Sequence, residues 1–493
     1  MKLIKRAKTD VAAKFKSVSS ASFLLFSLHP SDFLLVSSRR SMQAEARTIK
    51  HYRHKLIKCL SDSVASTFEN CFSPDVDNPS DFIEDLGWIY KDLIRIESDV
   101  VPCFPPDYDI HAFYVKAYHK NLDLVLQKIV ASVPEASILL QLHSWIKEYK
   151  ASMKELEIPP GWTQPPLLGG KEQELIEDYV GLIVKKMDEW TKNLMKDEEH
   201  DFVARDQPVE IEEGGLYGMS GAVIMFQMVN QQVDLAADSG QGGVLARVVT
   251  EANRVMRQTQ ERFIFLVEQE VKKVMEKPDE APPGLVEYVV ALANDQIKSA
   301  DYAEALSARL EPIVSEKYKV IISTKINDAI DGYLDVAKTC TQSLIDLVFN
   351  DVKVATKTFF TPTWYSDRPM ALVVETMRDY LSDYQEHLNP SIFDLLLEDT
   401  IDTFLVIYLS ALRKCSKLKM SVAVDRIRDD IGEVFKFFCE FKQKEDLEVN
   451  FEVVEMILAL LEASKEMVFL DYWTFAKAHG PNLMFVEGLL RAR

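Results

Sequence analysis

Glycine is scarce in this chain of 493 residues, which contains only 17 of them, about half of the usual share of roughly 7%. Cysteine is scarcer still, and its six residues form no CxxC pair. No stretch approaches the roughly 18 uninterrupted apolar residues that a membrane-spanning helix needs. With so few glycines for turns we find no convincing hairpin signal, and helix is favoured throughout. The scattered cysteines suit a reducing compartment, because a chain of this size needs no disulfides to hold a core.

Recognisable reactive motifs are also missing. The chain has no GxSxG, HExxH or GxxxxGK[ST] sequence, and its cysteines show no signature of a catalytic thiol. The glycines of the 215–221 stretch lack the preceding strand and the spacing of a dinucleotide-binding loop, so we interpret the stretch as a flexible helix entry. His51 and His54 could share one helix face, but no further residues complete a metal-binding spacing. We therefore predict no catalytic, cofactor-binding or metal-binding residue, and no cofactor.

One acidic motif keeps an enzymatic alternative open. Asp429, Asp430 and Glu433 have the DDxxE form with which helical prenyl-transferring enzymes hold magnesium on a diphosphate, and residues 327–331 (Asn-Asp-Ala-Ile-Asp) could supply a second metal site. The apolar stripe of the same helix argues against this reading. It predicts that Asp429 and Glu433 project away from the core and that Asp430 lies at best on its flank. A helical magnesium-dependent prenyl or diphosphate enzyme is thus the alternative, and a solvated acidic face is the preferred reading.

Charge is distributed unevenly along the chain. Residues 1–50 hold ten Lys and Arg against three Asp and Glu, which leaves a net charge of −27 on the other 443 residues when the whole chain carries −20. Such an acidic body repels phosphate backbones, so we predict no nucleic-acid partner. The densest basic cluster could meet acidic lipid headgroups or an acidic partner helix, although a solvated surface is favoured. That cluster consists of Arg413, Lys414, Lys417, Lys419, Arg426 and Arg428.

The N-terminal segment resembles a targeting signal only superficially. Its start, MKLIKRAK, is basic, and a short apolar run covers residues 22–28. The run is interrupted at His29 and Pro30, and no small-residue cleavage pattern follows. We predict that residues 1–41 are disordered or misassigned.

Helical periodicity dominates the rest of the chain, and prolines and glycines punctuate it. These breaks predict helical bundles over residues 42–158, 167–361 and 365–493. An acidic loop is expected from Lys196 to Gly215. The segment from Phe404 to Leu409 is apolar on every side, which predicts a central helix surrounded by others. We expect four conspicuous tryptophans to be structural core: Trp145, Trp190, Trp364 and Trp473.

The clearest periodicity lies in residues 350–412. An apolar stripe there is followed by Asn389 and Pro390. This pair predicts a helix start with Asn389 as the N-cap and Pro390 at the first helical position. The stripe consists of Val374, Met377, Leu381, Tyr384 and Leu388. A second stripe late in the chain consists of Val424, Ile427, Ile431, Val434, Phe438 and Phe441.

Residues 350–412, together with the blocks 108–120, 170–190 and 427–438, resemble the exocyst complex component 3 family. The resemblance covers roughly Gln43 to Arg493 and is that of a fungal-like, N-terminally truncated member. It implies an all-α, elongated rod of consecutive antiparallel helical bundles, as in subunits of other multisubunit tethering complexes. It also implies a non-catalytic protein that helps to tether secretory vesicles to the plasma membrane before SNARE-mediated fusion.

The partners implied by the same resemblance are other exocyst subunits, together with SNARE and SNARE-regulating proteins. The implied location is cytoplasmic and peripheral, at sites of exocytosis on the plasma membrane. The sequence departs from the family in its first forty residues, which are unlike the long heptad-rich segment with which members normally begin. It also ends at residues 485–493 without a helix-stopping signal.

Overall fold

The computed structural model describes residues 51–71, 78–132, 134–464 and 466–492. The segment 1–41, predicted to be disordered or misassigned, lies outside these residues. The chain divides into two compact units: unit 1 comprises Met1–Lys185 and Leu235–Val244, and unit 2 comprises Lys186–Asp234 and Leu245–Arg493. The predicted division into bundles 42–158, 167–361 and 365–493 stays a prediction.

Among the described residues, helices make up most of both units. The α-helices of unit 1 are α1 (Tyr52–Cys71), α2 (Pro79–Asp85), α3 (Trp88–Arg95), α4 (Ile110–Ala131), α5 (Ala136–Glu155) and the first part of α6 (Glu172–Ala204). Residues 235–238 and 242–244, from the next two helices, also belong to unit 1. The helices that follow are α7 (Gly221–Asp238), α8 (Gly242–Glu276), α9 (Leu285–Leu310), α10 (Glu316–Asp351), α11 (Lys353–Thr356), α12 (Pro362–Ser366), α13 (Pro369–His387), α14 (Pro390–Lys414), α15 (Met420–Phe438), α16 (Lys444–Glu462), α17 (Val468–His479) and α18 (Leu483–Ala492). Within the described ranges, strands are limited to β1 (Glu210–Ile211) and β2 (Tyr217–Gly218). The predicted all-α class is confirmed.

The core of unit 1 is built from aromatic rings on α1, α3, α4 and α5. The ring of Phe68 lies 5.2 Å from Trp88 and 5.5 Å from Tyr118, measured between centroids. His119 is buried beside them, where its Nε2 donates to the Pro165 carbonyl (2.7 Å) and its Nδ1 accepts from the Tyr149 hydroxyl (2.9 Å). These bonds satisfy a polar ring that would otherwise be costly to bury.

The two predicted stripes form the core of unit 2. Every member of the α13 stripe is buried, and so is every member of the late stripe except Phe441, which is half-buried. The predicted cap is also confirmed, because Asn389 Oδ1 accepts from the Ser391 amide (3.0 Å) and Pro390 is the first residue of α14. Local sequence thus sets both the start and the buried face of these helices.

Three local predictions were wrong. Helix α6 continues to Ala204, where an acidic loop had been expected from Lys196, because Met195 and Phe202 are buried and hold its last turns. Helix α14 is not surrounded at Phe404–Leu409, since Val406 is 64% exposed. Strands β1 and β2 form a short antiparallel hairpin that no sequence signal had indicated.

Asn294 on α9 holds several segments of unit 2 together. Its Nδ2 donates to the carbonyls of Tyr217 (2.7 Å) and His387 (2.8 Å), and its Oδ1 accepts from the Asn389 amide (2.8 Å). His387 also donates from Nδ1 to the Gly215 carbonyl (2.7 Å). One buried amide therefore links the hairpin, the end of α13 and the start of α14.

Candidate functional site

The acidic motif on α15 contributes one buried, hydrogen-bonded carboxylate to the core of unit 2. Asp430 is 2% exposed, and its Oδ2 accepts from Trp364 Nε1 (2.7 Å) and from the Tyr408 hydroxyl (3.1 Å). Asp429 and Glu433 are exposed, as predicted, whereas the placement of Asp430 on the flank was wrong. Burial raises the pKa of Asp430, and the two donors act in the opposite direction. The three carboxylates therefore do not converge on a common point.

The second proposed metal motif is on a different helix, α10, and is also dispersed. Asn327, Asp328 and Asp331 are exposed, and Asp328 Oδ2 accepts from Asn253 Nδ2 (2.8 Å). His51 and His54 are exposed as well. Among the described residues, no three His, Cys, Asp or Glu side chains gather as ligands for a metal ion.

The 215–221 stretch closes the β-hairpin and enters α7. Gly215 adopts a positive φ of 90° at the turn, a conformation that glycine tolerates at no steric cost. The Ala222 amide, in the first turn of α7, donates to the carboxylate of Asp295 (3.1 Å to Oδ2). The stretch leads into a helix, as predicted, and a side chain of another helix caps its first turn. The predicted flexibility of this entry stays a prediction.

A buried pair of carboxylates faces the start of α7, and sequence reasoning missed it. A Cβ placed on Gly221 would lie 3.1 Å from Glu198 Oε1 and 3.3 Å from Asp295 Oδ2. Burial raises the pKa of each carboxyl group to about 7, and the negative charge of Asp295 contributes to the shift at Glu198. The two residues are distant in sequence and on different helices, so no local pattern indicates that they meet.

The predicted basic cluster divides into paired and unpaired residues. Arg426 Nη2 donates to the Asp367 carbonyl (2.6 Å) and Arg428 pairs with Glu462 (2.6 Å). Lys419 lies over the ring of Tyr365, with its Nζ 4.9 Å from the centroid. Arg413, Lys414 and Lys417 are exposed, and within the described part of the chain they form no ion pair. These three remain accessible to an anionic surface.

The tryptophan prediction holds for only part of the set. Trp145 and Trp364 are buried and Trp190 is half-buried, but Trp473 on α17 is 53% exposed. Trp473 is exposed because α17 packs with Phe475 buried in unit 2. This packing leaves Phe469 and Trp473, one turn apart, on the outer side of the helix. Single exposed apolar residues are ordinary, so this face alone does not define a site.

Unit 1 contains a groove of about 1180 Å³ between α2, α3 and α5, which we name the acidic groove. Its lining includes the buried side chains of Phe82, Ile83, Leu140 and Trp145. Five exposed acids also line it, namely Asp81, Glu84, Asp85, Glu148 and Asp238. Lys91 is the single Lys or Arg among the described lining residues. The acids come from three separate segments, which is why sequence reasoning did not group them.

A model of the family "Exocyst complex component Sec6" matches residues 1–493 of the chain. The chain belongs to the Sec6 family of exocyst components. This membership agrees with the prediction of a non-enzymatic subunit and confirms the resemblance seen in the sequence. Among the helices of residues 51–71, 78–132, 134–464 and 466–492, none has the length and apolar content of a membrane span.

Curated relatives in the Sec6 family are longer than this chain. It is 30% identical over 447 residues to exocyst complex component SEC6 of Saccharomyces cerevisiae, a match that covers 86% of the chain and 55% of the relative. It is 27% identical over 459 residues to the sec6 protein of Schizosaccharomyces pombe, covering 92% and 61%. The match to exocyst complex component 3 of Drosophila melanogaster is 23% identical and covers 86% and 59%. The chain thus spans a little over half the length of these relatives.

Two solved structures resemble the Sec6-family fold of this chain. The crystal structure of the C-terminal domain of the exocyst subunit Sec6p aligns with a TM-score of 0.62 and 29% identity, over 66% of this chain and 87% of that one. The crystal structure of M-Sec aligns with a TM-score of 0.60 and 13% identity, over 99% and 84%. At that identity M-Sec shows the shared fold alone.

Proposed function

We propose that the chain is a non-catalytic scaffold subunit of the exocyst that helps to tether secretory vesicles to the plasma membrane before SNARE-mediated fusion. The family match along the whole chain is the observation that carries this proposal. The helical architecture supports it, because stacked helices present long surfaces to several partners. The dispersed acidic motif also supports it over the magnesium-dependent enzyme, since Asp430 is held by Trp364 and Tyr408.

The partners that follow are other exocyst subunits, together with SNARE and SNARE-regulating proteins. The chain would act on the cytoplasmic side, with peripheral attachment to the plasma membrane at sites of exocytosis. A scaffold of this kind works through exposed helix faces. Arg413, Lys414 and Lys417 are candidates for contact with an acidic partner helix, because they are exposed and lack an ion pair among the described residues.

The test is co-purification from the cells that make this chain. A tagged copy is isolated, and exocyst subunits are quantified by mass spectrometry against a tag-only control. In parallel the chain is depleted, and retention of a secreted reporter and the number of vesicles near the plasma membrane are measured. Stoichiometric recovery of exocyst subunits, with vesicle accumulation on depletion, is expected. Recovery at the level of the tag-only control, or normal secretion after depletion, would refute the proposal.

The double variant Asp429→Asn with Glu433→Gln separates the scaffold from the enzyme. Both side chains are exposed, so the substitutions leave the core intact. A scaffold should restore secretion in depleted cells as well as the unaltered chain does. Loss of secretion with a folded variant would favour the enzymatic reading instead.

A further inference from the structure

The loop that joins α14 to α15 presents one serine to solvent. It covers residues 415–419, between the last residue of α14 and the first residue of α15. Leu418 is 3% exposed and the Lys419 amide donates to the Tyr365 hydroxyl (3.0 Å), so these contacts anchor the second half of the loop. Ser416 is exposed, and within the described residues its hydroxyl has no hydrogen-bond partner. An enzyme can therefore reach this hydroxyl from solvent.

The residues before Ser416 form a charge pattern that selects for protein kinases with a preference for basic substrates. Arg413 lies three residues before Ser416, and Lys414 lies two residues before it. Both side chains are exposed, and neither forms an ion pair with another described residue. Such a kinase binds the two cations with carboxylates of its own, which aligns the serine in the active site. In the whole chain, no other Ser or Thr follows adjacent Lys or Arg residues at these two positions.

The backbone around Ser416 can adopt the extended conformation that a kinase active site requires. Cys415, directly before the serine, is already extended, with φ −65° and ψ 130°. Arg413 and Lys414 are the last two residues of α14, and helix ends fray. Leu412 is 1% exposed and keeps the preceding part of α14 packed. Only two residues therefore have to leave the helix for the motif to extend.

We propose that Ser416 is a phosphorylation site for a serine/threonine kinase of the class that selects basic substrates. In the reaction the Oγ of Ser416 attacks the γ-phosphorus of ATP and forms a new O–P bond. The bond between that phosphorus and the β–γ bridging oxygen breaks, ADP leaves, and the hydroxyl proton passes to the carboxylate base of the kinase. The product carries a charge of about −1.5 to −2 at pH 7.

The phosphate cancels much of the positive charge of the exposed cations around it. Arg413, Lys414 and Lys417 contribute three positive charges, and a phosphate on Ser416 reduces their sum to about +1. Its oxygens also accept hydrogen bonds from Lys and Arg, so the phosphate occupies the same cations that an acidic partner helix would use. Phosphorylation then weakens the binding of that helix. This consequence rests on the proposed function, whereas the modification itself does not.

The first test is phosphorylation of the purified full chain. The probe is the catalytic subunit of cyclic-AMP-dependent protein kinase with ATP, and the modified residues are identified by peptide mass spectrometry. Ser98 is the internal control, because it is exposed and follows Arg95 at the same spacing. However, Glu97 precedes it directly, and its hydroxyl donates to the carboxylate of Asp99 (2.8 Å). Phosphate is expected on Ser416 and not on Ser98.

Two results of this first test would overturn the proposal. One is an unmodified Ser416 in a reaction that fully modifies a standard peptide substrate of the kinase. The other is equal modification of Ser416 and Ser98, because the adjacent cations would then have no directing role.

The double variant Arg413→Ala with Lys414→Ala tests that directing role. Both side chains are exposed, so the fold should be retained. The rate of phosphate incorporation at Ser416 should fall by about tenfold or more, since a close charge pair across an interface contributes at least about a factor of ten to binding. The matched control is Lys185→Ala with Lys186→Ala, an adjacent exposed pair on α6, which should leave the rate unchanged. Equal rates in the two double variants would contradict the proposal.

Ser416→Asp tests the effect on partners in the cells that make the chain. Tagged copies with Ser416→Asp or with Ser98→Asp are isolated, and exocyst subunits are quantified by mass spectrometry. An exposed charge pair changes affinity by up to about fivefold, so the recovery of at least one subunit should fall about two- to fivefold with Ser416→Asp alone. Equal recovery with both variants would overturn the effect on partners. If the unaltered chain recovers no exocyst subunit, the proposed function fails, and phosphorylation of Ser416 in the purified chain still decides the site.

Discussion

Asn294 offers the sharpest test of how unit 2 is held together. The side chain is 4% exposed and uses three of its hydrogen-bonding positions on the backbone of Tyr217, His387 and Asn389. All three partners belong to segments distant in sequence from α9. Replacing Asn294 with alanine removes every one of these bonds and leaves two carbonyls and one amide without their partner.

The magnitude follows from the number of bonds. A buried hydrogen bond contributes about 1 kcal/mol net, and stranding a buried partner costs about 1–3 kcal/mol. Three such bonds predict a loss of about 3 kcal/mol or more in the free energy of unfolding of unit 2. A loss of that size lowers the equilibrium constant for local closure by about two orders of magnitude.

The assay combines urea unfolding, followed by circular dichroism, with native-state hydrogen exchange read by mass spectrometry. We expect exchange to accelerate by about 100-fold in peptides that contain the amide of Asn389. The control is Asn327→Ala, because Asn327 is exposed on α10 and should change stability by less than about 0.5 kcal/mol. If Asn294→Ala changes stability and hydrogen exchange no more than this control does, the three hydrogen bonds of Asn294 do not stabilise unit 2 as inferred.

Three further predictions concern pH, the acidic motif and a glycine. Because burial raises the pKa of Glu198 and Asp295 to about 7, the folded state holds protons that the unfolded state has released. The free energy of unfolding should therefore decrease as the pH rises from about 4 to about 7, by at most about 1.4 kcal/mol per pH unit for each group. The double variant Glu198→Gln with Asp295→Asn should make the free energy of unfolding, measured by urea titration, depend less on pH. If the pH dependence is the same as in the unaltered chain, these two carboxyl groups do not cause it. Asp430→Ala should destabilise unit 2 by about 2–4 kcal/mol in the same titrations, because it strands two buried donors, whereas the exposed Asp429→Ala should cost less than about 0.5 kcal/mol. Gly432→Ala should raise the thermal midpoint through a gain of about 0.5–1 kcal/mol, since a Cβ on Gly432 meets nothing within 4 Å, and a lower midpoint would contradict it.

The periodic parts of the fold could be predicted from the sequence. The α13 stripe, the Asn389 cap and the late stripe apart from Phe441 were correct, because each depends on residues within a few turns of one another. The resemblance to the exocyst complex component 3 family rested on the same helical blocks, and the family match confirmed it.

Errors arose where burial depends on residues far away in the chain. Asp430 looked like a flanking acid, yet the donors that allow its burial come from α12 and α14. Trp473 looked like core, yet no element among the described residues covers its outer side. Composition predicts how readily a residue is buried, but its neighbours in space determine whether it is.

The sequence by itself determined the helical class, the family and the buried face of the main helices, since hydrophobic periodicity and capping are local properties. Only the tertiary structure decided which polar groups share an environment. It placed Glu198 beside Asp295, joined Asn294 to three distant backbone groups and collected five acids around one groove. These arrangements are set by how helices from separate parts of the chain pack, and helix periodicity carries no information about that packing.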